Sequence, residues 1–228
     1  MAIHENRKIL FELLTQKAAL KQDIAADGLA LFKEFKSIIS EEIDSLAKKV
    51  KDPRIRLYTE VKGDFEIYVY IGSDVLVFHL HNNVFYLPET DGFWNVPYLK
   101  NDPSKGYFNS IYVYNFLAES MIQNRVEDLG YLIARICTNQ DRHFFTEGKG
   151  AFQFQFRDLQ TATLKKKEIQ LIVQTAFAQA IDFDLLIPPF EMMEELMVGQ
   201  ILQISEDLQL KTGKRLGFKR KEEEDEIF

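Results

Sequence analysis

The chain of 228 residues contains a single cysteine, Cys137, so it cannot form an internal disulfide. No apolar segment of the kind found in a secretory signal peptide follows Met1. No run approaches the ~18 consecutive apolar residues that a membrane-spanning helix needs. These absences argue against a disulfide-stabilised secreted protein and against a membrane protein, and they predict a cytoplasmic one.

Basic residues are scarce in two regions of the chain. The whole chain has 35 acidic and 28 basic residues, a net charge of −7. No Lys or Arg lies between Lys62 and Lys100, and residues 182–207 hold seven acids and no base. This balance disfavours non-specific binding of nucleic acid. Residues 211–228, a basic block followed by an acidic one, are predicted to be a charged, mobile tail.

Aromatic residues are abundant and unevenly distributed. The chain has 19 Phe, 9 Tyr and one Trp, and 15 of these rings lie between Tyr58 and Phe116. A sheet that stacks single-stranded nucleic acid needs cations beside its rings, and this region has almost none. The rings are therefore predicted to form a core, with an apolar groove as the alternative.

Helical periodicity marks both ends of the chain. Residues 3–22 and 24–51 repeat apolar residues at helical spacing, and the Ala-Ala-Asp-Gly run at 25–28 predicts a break between two helices. The second of them would lie across a sheet as a spine or pair with a copy of itself. Further helices are predicted at 162–181 and from 189 to about 210.

Between the helices the apolar period changes to two, which is typical of strands. Successive strands joined by tight turns are predicted at 54–62, 64–71, 75–81 and 84–87. A strand from Tyr107, a short helix at 118–124 and a strand at 129–138 follow, and then a hairpin. The second arm of that hairpin, 151–157, alternates Phe with polar residues.

This order of elements indicates an α+β fold with a single mostly antiparallel sheet, a meander of about four strands plus a later hairpin, flanked by long N-terminal and C-terminal helices. One domain is predicted over residues 1–210. It comprises N-terminal helices (1–52), the sheet (53–160) and C-terminal helices (161–210), and the charged tail at 211–228 follows it.

Two motifs allow metal chemistry. His79 and His81 point to the same side of a strand and could bind one metal ion, with His143, Glu60 or Glu66 completing the ligands of a metal-dependent hydrolase. Amphipathic rim residues at a strand end are the alternative.

A second motif, Glu60-Val61-Lys62, matches half of a Mg²⁺-dependent nuclease core, with Asp52 and Glu41 or Glu42 upstream. The lack of nearby basic residues argues against that interpretation. Cys137 with His143 is rejected as a catalytic pair because the cysteine lies in an apolar strand.

Two segments are candidates for partner binding. The long loop at 88–106 contains Phe93 and Trp94, which would either pin a surface loop to the core or belong to a lid or recognition loop. Met192, Met193 and Met197 line an acidic helix whose adaptable face could bind a partner, pack on the sheet or form a homodimer.

The favoured function is therefore a non-catalytic cytoplasmic binding, adaptor or chaperone-like protein. It would bind a protein segment or a small apolar ligand through its aromatic-rich sheet or its Met-rich helix. A homodimer is expected, without a cofactor and without nucleic-acid or membrane partners. The metal-dependent hydrolase and the nuclease stay open as alternatives.

Overall fold

The computed structural model describes residues 2–183, which begin with one long helical segment. Helix α1 (Ala2–Glu12) continues through a π-helical turn (Leu13–Ala18) into helix α2 (Ala19–Lys49). The predicted break at 25–28 is wrong. Gly28 lies inside α2 because the helix approaches the sheet closely there: a Cβ atom on Gly28 would lie 2.5 Å from Cγ of Asn109.

A single antiparallel sheet follows, as predicted. Its strands, in chain order, are β1 (Arg56–Lys62), β2 (Glu66–Gly72), β3 (Asp74–Leu80), β4 (Phe85–Tyr86), β5 (Tyr107–Leu117), β6 (Tyr131–Thr138) and β7 (Phe144–Gly148). Their spatial order is β1-β2-β3-β5-β6-β7, and the short β4 pairs with the beginning of β5. Each long strand therefore pairs with the next long strand along the chain, which makes the sheet a simple meander.

Three further helices complete the described chain: α3 (Pro97–Lys100), α4 (Ala118–Ile122) and α5 (Lys166–Ile181). Helices α2 and α5 pack on the same face of the sheet. The apolar period of two in β2 gives that face its apolar surface, because Ile67, Val69 and Ile71 all point to these helices and are buried. Residues of the other strands and of both helices complete this core, among them Phe32, Phe35, Phe78, Ile111, Val113, Ile136, Ile172 and Phe177.

The predicted second arm of the hairpin is not a strand. After β7 the chain forms a 3₁₀ turn (Gly150–Gln153) and a second turn at 154–156. Phe152 and Phe156 are buried, and Phe154 is 75% exposed. These turns lie against the edge of β7, where the backbone N–H of Thr146 donates to the carbonyl of Phe156 at 2.8 Å. The spacing of four residues between the two buried rings suits a turn better than a strand, in which Phe154 would be buried with them.

The segment at 88–106 is folded into short helical turns and packs on the sheet. It contains α3 and two 3₁₀ turns, Gly92–Asn95 and Pro103–Gly106. Phe93 and Trp94 pack against a second group of apolar residues, the loop cluster, as the pinned-loop alternative expects. The loop cluster consists of Leu87, Leu99, Phe108, Cys137, Phe145 and Leu159.

Some predictions concern residues beyond the described part of the chain. The predicted helix at 189–210, its Met192, Met193 and Met197, and the tail at 211–228 all lie outside residues 2–183. Within the described residues, no helix combines the length and the apolar character required to cross a membrane.

Candidate functional site

The sheet has a second face, and tyrosines dominate it. Side chains alternate along each strand, so the residues between the core residues point away from α2 and α5. We call this surface the tyrosine face. Its aromatic members outside the loop cluster are Tyr58, Tyr68, Tyr70, Tyr112, Tyr114 and Phe116.

The strand register sets these residues in rows that cross the sheet. One row runs through Tyr58, Tyr70, Val75 and Phe116. The next runs through Glu60, Tyr68, Val77, Tyr114 and Leu132. Because directly opposed side chains in an antiparallel pair lie about 5 Å apart, each row is a continuous band of contact.

Ring contacts join the rows. The rings of Tyr58 and Tyr70 stack with centroids 4.4 Å apart. Along β5, the Tyr114 ring lies 6.1 Å from Tyr112 and 6.4 Å from Phe116. These distances are typical of aromatic pairs, so the tyrosines support one another without a helix above them in the described structure.

A third row carries the charges of the tyrosine face, and they pair among themselves. It runs through Lys62, Glu66, His79, Tyr112, Arg135 and Glu147. Nε of Arg135 donates to Oε2 of Glu147 at 2.6 Å. Glu60, from the neighbouring row, accepts from Lys62 at 2.8 Å. The charged groups therefore flank the rings as ion pairs and leave no large field of one sign.

Both ends of the tyrosine face are covered. At one end, the outward-facing Cys137 and Phe145 are buried beneath the 88–106 segment in the loop cluster. At the other end, Tyr70 and Val75 are buried with Ala118 of α4. The middle of the face, around Tyr112 and Tyr114, keeps intermediate exposure. The accessible part of the face thus lies between two fixed borders.

Burial keeps several hydroxyls of the tyrosine face neutral over the physiological pH range, as donors and acceptors of hydrogen bonds. Burial raises the pKa above its ordinary value of 10.0 for four of them, Tyr58, Tyr68, Tyr70 and Tyr114. The hydroxyl of Tyr68 donates to Oε2 of Glu66 at 3.3 Å. Each accessible hydroxyl can therefore exchange hydrogen bonds with a partner without a change in charge.

The structure places three of the predicted metal ligands, His79, His81 and Glu66, near one another and places Glu60 and His143 apart from them. His79 and His81 have ring centroids 6.3 Å apart, and His79 Nδ1 donates to Glu66 Oε1 at 3.0 Å. Glu60 lies two strands from His79, about 10 Å away, and β7, which follows His143, lies three strands away, about 14 Å. Of the two predicted carboxylates, Glu66 and not Glu60 is therefore the one beside His79.

The other two histidines of the predicted ligand set, His81 and His143, each have one ring nitrogen in a hydrogen bond with the backbone. The backbone N–H of Asn83 donates to Nδ1 of His81 at 3.1 Å. The ring of His143 stacks on Tyr98 with centroids 3.9 Å apart, and its Nδ1 donates to the carbonyl of Leu159 at 2.8 Å. Within residues 2–183, no group of three or more His, Cys, Asp or Glu side chains is arranged to hold a metal ion. The metal-hydrolase hypothesis stays a prediction.

The residues of the predicted nuclease motif also have local partners. Besides the pair between Glu60 and Lys62, Asp52 pairs with Arg54 at 2.6 Å. Glu41 pairs with Lys166 of α5 at 3.1 Å, on the helix layer and thus on the opposite side of the sheet. Glu42 likewise accepts from Gln174 of α5 at 2.9 Å, so Glu41 and Glu42 lie on the other side of the sheet from the motif, and the nuclease hypothesis stays a prediction.

Cys137 is buried beside Ser110, with the two side-chain heteroatoms 3.4 Å apart. Burial raises the pKa of its thiol to about 11.

Trp94 donates from Nε1 to the carbonyl of Pro88 at 2.8 Å and, with Phe93, packs on the loop cluster. These two rings therefore anchor a border of the tyrosine face.

Sequence reasoning predicted that the aromatic rings form a core, with an apolar groove as the alternative, and did not identify which rings share this face. A signal was present, because aromatic residues recur at every second position in two strands, as Tyr68 and Tyr70 and as Tyr112, Tyr114 and Phe116. Such spacing puts them all on one side, opposite the apolar residues between them.

Comparison of the chain with models of protein families, with curated proteins and with solved structures finds no match.

Proposed function

We propose that this protein is a non-catalytic binding protein, of the adaptor or chaperone-like kind, that holds a segment of a partner protein on its tyrosine face. The observation that carries the proposal is the set of six aromatic side chains on one face of the sheet, opposite the face that α2 and α5 cover. A cytoplasmic location fits the lone buried thiol of Cys137, which needs no oxidising compartment.

The chemistry of the face suits a protein partner. Tyrosine and arginine are enriched where proteins contact one another, since each combines a large contact area with a polar group. Here Arg135 lies beside Tyr112, with its guanidinium carbon 5.9 Å from the ring centroid. The same side chains can bury apolar groups of a partner and hydrogen-bond its backbone.

The size of the face favours a protein segment over a small apolar ligand. From β1 to β6 the face crosses five strands, a width of about 20 Å. Small apolar ligands bind in enclosed, mostly apolar cavities. A broad surface with hydroxyls and paired charges instead matches an extended or helical segment that makes several contacts along its length.

The test starts from a display library of random peptides, selected on the immobilised full-length protein and then measured by fluorescence anisotropy. We expect Tyr112→Ser/Tyr114→Ser to weaken the enriched peptides at least tenfold, because truncating central aromatic side chains of an interface removes its largest contributions.

The matched control is Phe154→Ser, an exposed aromatic residue outside the tyrosine face. It should leave peptide affinity unchanged, and circular dichroism should show that both variants are folded. Equal affinity of the peptides for the wild type and the double tyrosine variant would contradict the proposal, as would a selection that enriches no peptide.

A further inference from the structure

The two outer strands of the sheet differ in how their free edges are treated. The edge of β7 is closed by the turns after it, through the hydrogen bonds from Thr146 to Phe152 and Phe156. The edge of β1 is open: within the described chain, no backbone group of β1 pairs with any segment except β2. An open edge presents a row of N–H and C=O groups that another strand can pair with.

Apolar side chains accompany this open edge. Ile55, at the entry to β1, is 43% exposed, and Val61, near its end, is 56% exposed. Tyr58, between them on the other face, is 39% exposed. A strand added to this edge would cover apolar groups on both faces of the sheet and satisfy the free backbone groups at the same time.

We propose that β1 pairs antiparallel with β1 of a second copy of this chain, with a two-fold axis at Tyr58. The pairing joins two sheets into one continuous sheet. It does not require the proposed peptide-binding function, since it rests on the free backbone edge of β1, although Tyr58 at the axis belongs to the tyrosine face.

Charge complementarity favours a second copy of the chain as the occupant and one of the two registers. The full-length register, centred on Thr59, would set Arg56 opposite Lys62 of the second copy at both ends of the ladder, and like charges directly opposite are unfavourable. Centring on Tyr58 instead sets Arg56 opposite Glu60 of the second copy, twice by symmetry.

The same register matches the exposed apolar residues. It places Ile55 opposite Val61 of the second copy, Leu57 opposite Thr59, and Tyr58 opposite Tyr58. Every exposed apolar side chain of the edge thereby meets an uncharged one. This register also sets Lys62 opposite Arg54, so like charges face each other in both registers. Within β1, only the register centred on Tyr58 adds opposite charges, since Arg56, which pairs with Glu119 of its own chain, there also meets Glu60 of the second copy.

The test is a disulfide at the symmetry axis of the full-length protein. We expect Tyr58→Cys to give a covalent dimer under mild oxidation, because only residues directly opposite each other bring their Cβ atoms within about 5 Å. Glu60→Cys, on the same face of the same strand, is the matched control, since in this register its symmetry mate lies four residues along the ladder, about 13 Å away. The native Cys137, 6% exposed, should not react.

Two further measurements secure the result. Sedimentation equilibrium of the wild type should show dimerisation. Glu60→Arg should raise the dissociation constant of the dimer roughly tenfold, since it sets an arginine opposite Arg56 in each of the two symmetry-related pairs. If Tyr58→Cys does not fold, a mixture of Ile55→Cys and Val61→Cys should cross-link faster than either variant alone. A monomeric wild type, or Glu60→Cys that cross-links as fast as Tyr58→Cys, would overturn the proposal.

Discussion

The two faces of this sheet are built from alternate residues of the same strands, yet they are stabilised in different ways. On β5, Ile111 and Val113 are completely buried beneath the helices, whereas the intervening Tyr112 and Tyr114 keep intermediate exposure. The helix-covered face gains its stability from apolar surface removed from water. The tyrosine face is held by contacts between its own rings and ion pairs, so it can be ordered and still accessible.

This difference suits one face for forming the core and the other for binding a partner. A binding surface needs side chains that are already held in place, because ordering them on binding costs free energy. Here the stacked pair of Tyr58 and Tyr70 and the Arg135–Glu147 pair hold side chains of the tyrosine face while the opposite face carries the core.

The largest expected effect is on the stability of the helix-covered face. Phe78 of β3 is fully buried between the sheet and the helices. We expect Phe78→Ala to lower the free energy of unfolding by about 3–5 kcal/mol, because it removes buried apolar surface and leaves a cavity.

The matched change on the other face is Tyr112→Ala, for which we expect a loss of about 1 kcal/mol, since its ring is part-exposed. Urea denaturation of both variants checks the difference. If the two variants lose similar amounts of unfolding free energy, the tyrosine face is packed as tightly as the helix-covered face, and the proposed difference between the faces is wrong.

An intermediate effect is expected where helix and sheet approach most closely. Asn109 of β5 donates from its amide to the carbonyl of Ile24 at 2.6 Å and occupies the space that a side chain at residue 28 would need. We expect Gly28→Ala to cost about 1–2 kcal/mol although alanine favours helices, because displacing Asn109 leaves its buried amide without a partner.

A double-mutant cycle separates this contact from helix propensity. Gly28→Ala/Asn109→Ala should be more stable than the sum of the single changes predicts, since the new methyl group fills space that the amide leaves. Thermal denaturation of the four proteins provides the test, and additive losses would show that the two residues do not compete for space.

The smallest effect concerns an ion pair between the helix layer and the sheet. Hydrogen bonding by Arg142 holds the pKa of Glu34 below its ordinary value of 4.5. A carboxyl with a lowered pKa in the folded state adds stability above its unfolded pKa, and that contribution is lost as the pH falls through the folded value.

The wild type should therefore lose more stability than Glu34→Gln when the pH falls from about 5 to 3, by less than about 1 kcal/mol because the pair is part-exposed. Urea midpoints across this range measure the difference, which added salt should reduce. Parallel pH profiles for the two proteins would show that the pair contributes nothing.

Local patterns predicted much of the fold. The apolar period of two identified β2 as a strand, and helical spacing identified α5, because these elements have one apolar face each. Gly28 shows where such reasoning fails: a glycine in a helical pattern can mark a break or a close contact with a distant strand. Only the position of Asn109, far along the chain, decides between them.

The sites were harder to predict because they depend on strand register. His79 lies opposite Tyr112, and the ring of His81, one residue beyond the end of β3, lies 5.5 Å from the Tyr112 ring, but the carboxylate beside them could not be chosen from spacing alone. The turn between β2 and β3 pairs Ile71 with Asp74, and this register sets Glu66 opposite His79, whereas Glu60 lies on β1, one strand further away. A shift of one residue in the hairpin would have changed the neighbour.

The meander also has a consequence for how the chain folds. Its strands can pair one hairpin at a time, because each long strand neighbours the next one along the chain. Docking of α2 is different, since the bond between Ile24 and Asn109 joins residues 85 positions apart. Closing so large a loop costs more entropy than closing a hairpin. The tyrosine face, which is made of neighbouring hairpins, can therefore take shape before the helix that covers its reverse side is in place.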